Sequence, residues 1–128
     1  VIHGIGTDIV EIERIKDGLE RHGERFARRI LSAGEYATYL EHSNPQGFLA
    51  KRFAAKEATA KALGTGFRDG LSLQHIEVVN DDLGKPQLVF HGAAQDLVAK
   101  LGVGEAHISL SDERHYAVAY VVLTSARV

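Results

Sequence analysis

The sequence predicts a single α+β domain spanning residues 1–128, mostly antiparallel sheet packed with helices. Three observations carry that expectation. Strand-length apolar runs alternate with segments of helical period, and no repeat recurs along the chain. Two pairs of strands are joined by short polar connections, as in hairpins and unlike the long crossovers of a parallel sheet. The 128 residues, 45% hydrophobic and 25% charged, suffice for one core and not for two.

The elements follow in order. Residues 1–10 are rich in Val and Ile and read as a strand ending near Asp8. Residues 11–31 read as one helix, with Ile12, Ile15, Leu19, Phe26 and Ile30 at helical spacing. Ser32 caps a short helix that follows, with Glu35 as its capping-box partner. Residues 42–47 are polar, contain Pro45 and read as a loop. Residues 48–63 are almost pure helix former, closed by Gly64. Residues 73–79 and 86–90 read as a hairpin whose turn ends on Gly84. Residues 93–101 read as a short helix ended by Gly102, and residues 106–110 and 116–123 as a second strand pair. Residues 116–122 are nearly all apolar, so both faces of that strand need cover, from the chain's own helices or from further copies.

Composition excludes several classes. A net charge of −2 and a pI near 6.4 give no basic field for nucleic acid. No Cys means no disulfide framework, no thiol nucleophile and no cysteine zinc site. No apolar run approaches the roughly 20 residues of a membrane span, and no signal-peptide pattern opens the chain, so a cytoplasmic setting without membrane contact is expected. Gly4-Ile5-Gly6 lacks the third glycine of a dinucleotide fingerprint, and neither a P-loop nor an HExxH pattern occurs.

Chemistry concentrates in three places. In the helix 48–63, Lys56 adjoins Glu57, and Lys61 follows Glu57 one turn on. That order suits an ordinary helical ion pair; it also suits a carboxylate for a cation with lysines for phosphates, on a face that alanines leave without bulk. Asp8 lies in an apolar run, where Asp is disfavoured, and reads either as a cap for the next helix or as a hard oxygen ligand. Mg²⁺ takes only one or two protein carboxylates beside water and phosphate oxygens, so Asp8 with Glu57 would suffice if the fold joins them. On the first long helix Arg14, Arg21 and Arg28 recur every seven residues, with Arg25 one turn from Arg21. Acidic neighbours allow solvent-facing pairs such as Asp17–Arg21 and Glu24–Arg28; the other reading is a dock for an acidic partner protein.

Two long motifs together are highly specific: residues 4–12, GIGTDIVEI, and residues 51–66, KRFAAKEATAKALGTG. With residues 84–88 and 107–117 they resemble, over essentially the whole chain, the small bacterial type of 4′-phosphopantetheinyl transferase, the holo-(acyl-carrier-protein) synthases. The resemblance implies that 4′-phosphopantetheine is moved from coenzyme A to a serine of apo acyl carrier protein, with Mg²⁺ as cofactor, in support of fatty acid biosynthesis. It implies Asp8 and Glu57 as metal ligands and catalytic groups, and Lys61 as a catalytic charge clamp or proton donor. It implies Arg52, Lys56, Lys61, Gly64, Thr65, Gly66 and His107 at the coenzyme, through turn amides or the Thr65 hydroxyl at the helix end. It assigns Arg14, Arg21, Arg25 and Arg28 to docking of the carrier, and a trimer-forming fold with active sites between subunits. Asp112 stands where many relatives have His, so no role tied to that His carries over.

Overall fold

The computed structural model describes residues 1–126. In chain order it contains β1 (Ile2–Glu11), α1 (Ile12–His22), α2 (Glu24–Ile30), α3 (Ala33–Glu41), α4 (Pro45–Leu63), β2 (Ile76–Asn80), β3 (Pro86–Phe90), α5 (Gly92–Leu101), β4 (Val103–Asp112) and β5 (Tyr116–Ser125). The α+β expectation holds, with antiparallel pairing throughout.

The boundaries differ in instructive places. The helix expected over residues 11–31 breaks at Gly23, whose φ of 56° and ψ of −138° cannot continue a helix. Pro45 does not sit in a loop: it opens α4, where its missing N–H costs nothing, and the Asn44 side chain accepts from the Gly47 amide at 3.2 Å. Residues 73–75 form a 3₁₀ turn, so the strand expected from residue 73 starts at Ile76. β1 runs past Asp8 to Glu11, and β4 is ten residues long. The capping box at α3 forms as the sequence predicts, Ser32 and Glu35 each satisfying the other's backbone amide.

The main sheet has the order β1–β5–β4, with β2 and β3 forming a separate hairpin. β1 therefore pairs with the last strand of the chain, from Gly4 opposite Leu123 to Glu11 opposite Tyr116. Strand alternation sends Ala117, Ala119, Val121 and Leu123 of β5 inward, and all four are fully buried in the core that includes α4. The opposite face carries Ile5, Ile9, Tyr116 and Tyr120, each more than 40% exposed. The chain's own helices thus cover one face of the sheet and leave the other apolar and open.

Candidate active site

The site begins with two glycines. A Cβ on Gly4 would stand 2.0 Å from the Ala62 carbonyl oxygen, and one on Gly6 would stand 1.9 Å from that of Ala58. Only residues without a side chain let β1 lie against the α4 backbone this closely. The helix answers with small residues, since Ala54, Ala55, Ala58 and Ala62 are all buried. Asp8 is two residues beyond Gly6 on the same face of β1, because it pairs with the buried Ala119. It is thereby delivered to the turn of α4 that carries Glu57 and Lys61.

Lys61 does not form the ordinary helical ion pair that its spacing from Glu57 allows. Its ammonium does not fold back on Glu57; it crosses to β1, donating to Asp8 Oδ1 at 3.1 Å and to the Thr7 carbonyl at 2.9 Å. No Glu57–Lys61 ion pair forms among the described residues. The Glu57 carboxyl is held above its ordinary range, first by burial and then by the negative charge of Asp8, with Lys61 opposing. Two carboxylates thus lie near one half-exposed ammonium, which pairs with Asp8. This excess of negative charge, all of it oxygen, suits a hard divalent cation whose remaining positions go to water and phosphate. Asp8 and Glu57 are the two carboxylates that could hold such a cation.

Lys56 requires a correction. It is fully buried and faces away from this cluster. Its ammonium donates to Glu35 Oε1 at 2.7 Å, to the Leu73 carbonyl at 3.0 Å and to the Ile76 carbonyl, which uses all three protons. Lys56 is a core ion pair and has no proton left for a coenzyme phosphate. Burial pushes its amine below the ordinary lysine range, and Glu35 opposes that push. Glu35 also accepts from the amides of Ser32 and Val78, joining α3, α4 and β2. Arg52 differs. Its guanidinium stacks 4.4 Å above the Phe48 ring and lies 3.9 Å from Glu35, yet its buried Nε has no hydrogen-bond partner. It borders a cavity of about 310 Å³.

The turn after α4 is also a correction. The Gly64 amide donates to the Ala60 and Lys61 carbonyls, and the Gly66 amide to Ala60. These two amides serve the helix end and do not form the anion nest the sequence suggested. The Thr65 hydroxyl donates to the Gly66 carbonyl at 3.0 Å, a local bond it can exchange for another acceptor.

Comparison with known proteins places this geometry. The 4′-phosphopantetheinyl transferase superfamily matches residues 4–121. The chain belongs to this superfamily. The matched span starts at the first close-contact glycine and takes in Asp8, Glu57, Lys61 and His107. A holo-(acyl-carrier-protein) synthase of Halorhodospira halophila is 58% identical over 125 residues, covering 98% of this chain and 99% of the relative. The crystal structure of such a synthase from Neisseria meningitidis superposes with a TM-score of 0.94 at 41% identity, covering 98% of this chain and all of that one. One from Bacillus anthracis, solved in complex with CoA (3′,5′-ADP), gives 0.81 at 40% identity and 98% coverage of both chains.

Three further features of this transferase fold bear on the sequence expectations. His107 pairs with Val122 and is exposed on the open face of the sheet, whereas Asp8 faces α4 on the other side. One chain does not bring them together. Asp112 lies 3.5 Å from Lys51 and ties the end of β4 to α4, a structural use of the position. The arginine stripe is split by Gly23, with Arg14 and Arg21 on α1 and Arg25 and Arg28 on α2. Arg28 pairs with Glu24 at 2.6 Å and lies 4.5 Å over the Tyr36 ring, so the solvent-facing pair expected there does form. Arg14, Arg21 and Arg25 are exposed and make no ion pair with a described residue.

Sequence reasoning missed Gly4 and Gly6 as packing residues, although glycines two apart in a strand share one face and signal close approach. It also missed the second role of Glu35, which no local pattern announces.

Proposed function

We propose that this chain transfers 4′-phosphopantetheine from coenzyme A to a serine hydroxyl of apo acyl carrier protein, releasing adenosine 3′,5′-bisphosphate, in a Mg²⁺-dependent reaction that supports fatty acid biosynthesis. The convergence of Asp8, Glu57 and Lys61 carries this reading, in a chain that is 58% identical to a holo-(acyl-carrier-protein) synthase. Asp8 and Glu57 hold the metal, which when bound offsets charge on the pyrophosphate as its P–O bond breaks. Lys61 is 55% exposed at its side chain and reaches either Asp8 or a phosphate oxygen, acting as a charge clamp on the leaving bisphosphate. The serine oxygen bonds to phosphorus as the bond to the leaving bisphosphate breaks, and its proton leaves through a water held by Glu57. Asp8 is less suited to that task because Lys61 already engages its carboxylate.

The Thr65 hydroxyl and Arg52, whose buried Nε alone lacks a hydrogen-bond partner, are the coenzyme contacts in this reading. Arg14, Arg21 and Arg25 dock the acidic carrier, with Arg28 contributing less because Glu24 holds it. A homotrimer covers the open apolar face, and His107 then serves the site of a neighbouring copy.

Intact-mass spectrometry of apo carrier incubated with this protein, coenzyme A and Mg²⁺ tests the reading. The expected result is a gain of one phosphopantetheine, absent when the acceptor serine is replaced by Ala. Breakdown of coenzyme A without any carrier would point instead to a phosphate hydrolase.

A further inference from the structure

The close contact between β1 and α4 fixes how near Asp8 comes to the helix, and something else must fix how the helix is turned. Its contact face is built of alanines against glycines, which pack tightly but offer no large knobs to resist rotation or sliding. Lys56, one residue before Glu57, sits on the opposite side and is fully buried. Its three directed hydrogen bonds end on Glu35 of α3 and on the Leu73 and Ile76 carbonyls at the start of the β2–β3 hairpin. Glu35 is itself held by the Ser32 and Val78 amides. An ammonium with three acceptors in fixed directions permits one helix rotation, whereas an apolar side chain permits several.

We propose that Lys56, anchored by Glu35, is a positioning residue that sets the rotation of α4 and so aims Glu57 at the cation held with Asp8. The inference rests on the reading that Asp8 and Glu57 hold a metal. Lys56 touches neither substrate nor metal, and it acts through the backbone it shares with Glu57. Groups hydrogen-bonded directly to a metal ligand change affinity by about 10–100-fold when replaced, and a residue acting through the backbone belongs at the low end.

The test is calorimetric titration of coenzyme A, with and without Mg²⁺, into wild type, Lys56→Met, the neutral pair Glu35→Gln with Lys56→Met, and Glu35→Gln alone. Lys56→Met strands a buried carboxylate and is expected to lower Tm; the double variant removes both charges and regains stability. The proposal predicts that the double variant still binds coenzyme A about tenfold more weakly than wild type when Mg²⁺ is present, with no difference when it is absent. Loss of folded protein alone would lower the stoichiometry and leave the dissociation constant unchanged. Wild-type Mg²⁺-dependent affinity in the folded double variant overturns the proposal. Should neither Lys56 variant fold, the isosteric Glu35→Gln decides: about threefold weakening supports the proposal and unchanged affinity overturns it. Absence of any Mg²⁺ effect on wild type would instead overturn the metal reading, and this inference with it.

Discussion

At the scale of single residues, the site keeps a charge where the fold would rather have none. The Glu57 carboxyl is raised above its ordinary value by burial and by Asp8. By linkage, a carboxyl raised in the folded state stabilises the protein below the ordinary Glu range and loses that contribution as pH rises through the raised value. At neutral pH without metal, ionised Glu57 is therefore a net cost to stability. Glu57→Gln is expected to raise Tm in EDTA, read by thermal denaturation, while abolishing transfer. The same sign predicts that apparent Mg²⁺ affinity falls as pH is lowered through the Glu57 range, measured as half-saturating Mg²⁺ in the transfer assay. The fold brings together Asp8, Glu57 and Lys61, which the sequence reading groups. That reading misjudged Lys56, because Lys56 and Glu57 are adjacent in sequence but point about 100° apart on a helix, and nothing local told which direction was core.

At the scale of elements, the strand–helix contact between β1 and α4 governs the site. Gly6→Ala would drive a methyl into the Ala58 carbonyl, which belongs to the helix backbone and cannot swing aside. The expected cost is about 1–3 kcal/mol by urea denaturation, with transfer lost beyond what the folded fraction explains. Helix type was legible for α3 from its capping box, for α4 from its run of helix formers and for α5 from its closing glycine. The break at Gly23 was not, since a lone glycine within a helical pattern is often tolerated. That break gives the arginines two separate elements. Arg14→Ala and Arg21→Ala are each expected to weaken carrier binding by up to about 1 kcal/mol, and Arg28→Ala by less because Glu24 already holds that side chain. The losses should shrink at high salt, since surface charges are screened over about 8 Å at physiological ionic strength. Surface plasmon resonance at two salt concentrations reads both, and equal loss of coenzyme A affinity would count against a docking role.

At the scale of the whole molecule, the pairing of β1 with β5 joins the two ends of the described chain and could not be read from local pattern. The double-sided apolar character of residues 116–122 was legible, and the structure explains half of it: helices cover one face, while Ile5, Ile9, Tyr116 and Tyr120 remain open on the other. Ile9→Arg on that face is expected to give a folded monomer by sedimentation velocity, with transfer lost although Asp8, Glu57 and Lys61 are intact. The central claim is that Asp8 and Glu57 together hold the cation used in transfer. Its most direct test is the rate of phosphopantetheine addition to apo carrier, followed by intact mass across a Mg²⁺ series for wild type, Asp8→Asn and Glu57→Gln. The account predicts saturable Mg²⁺ dependence in wild type and almost no product from either folded variant at any Mg²⁺ concentration. Transfer by either variant at the wild-type rate and Mg²⁺ requirement would contradict it.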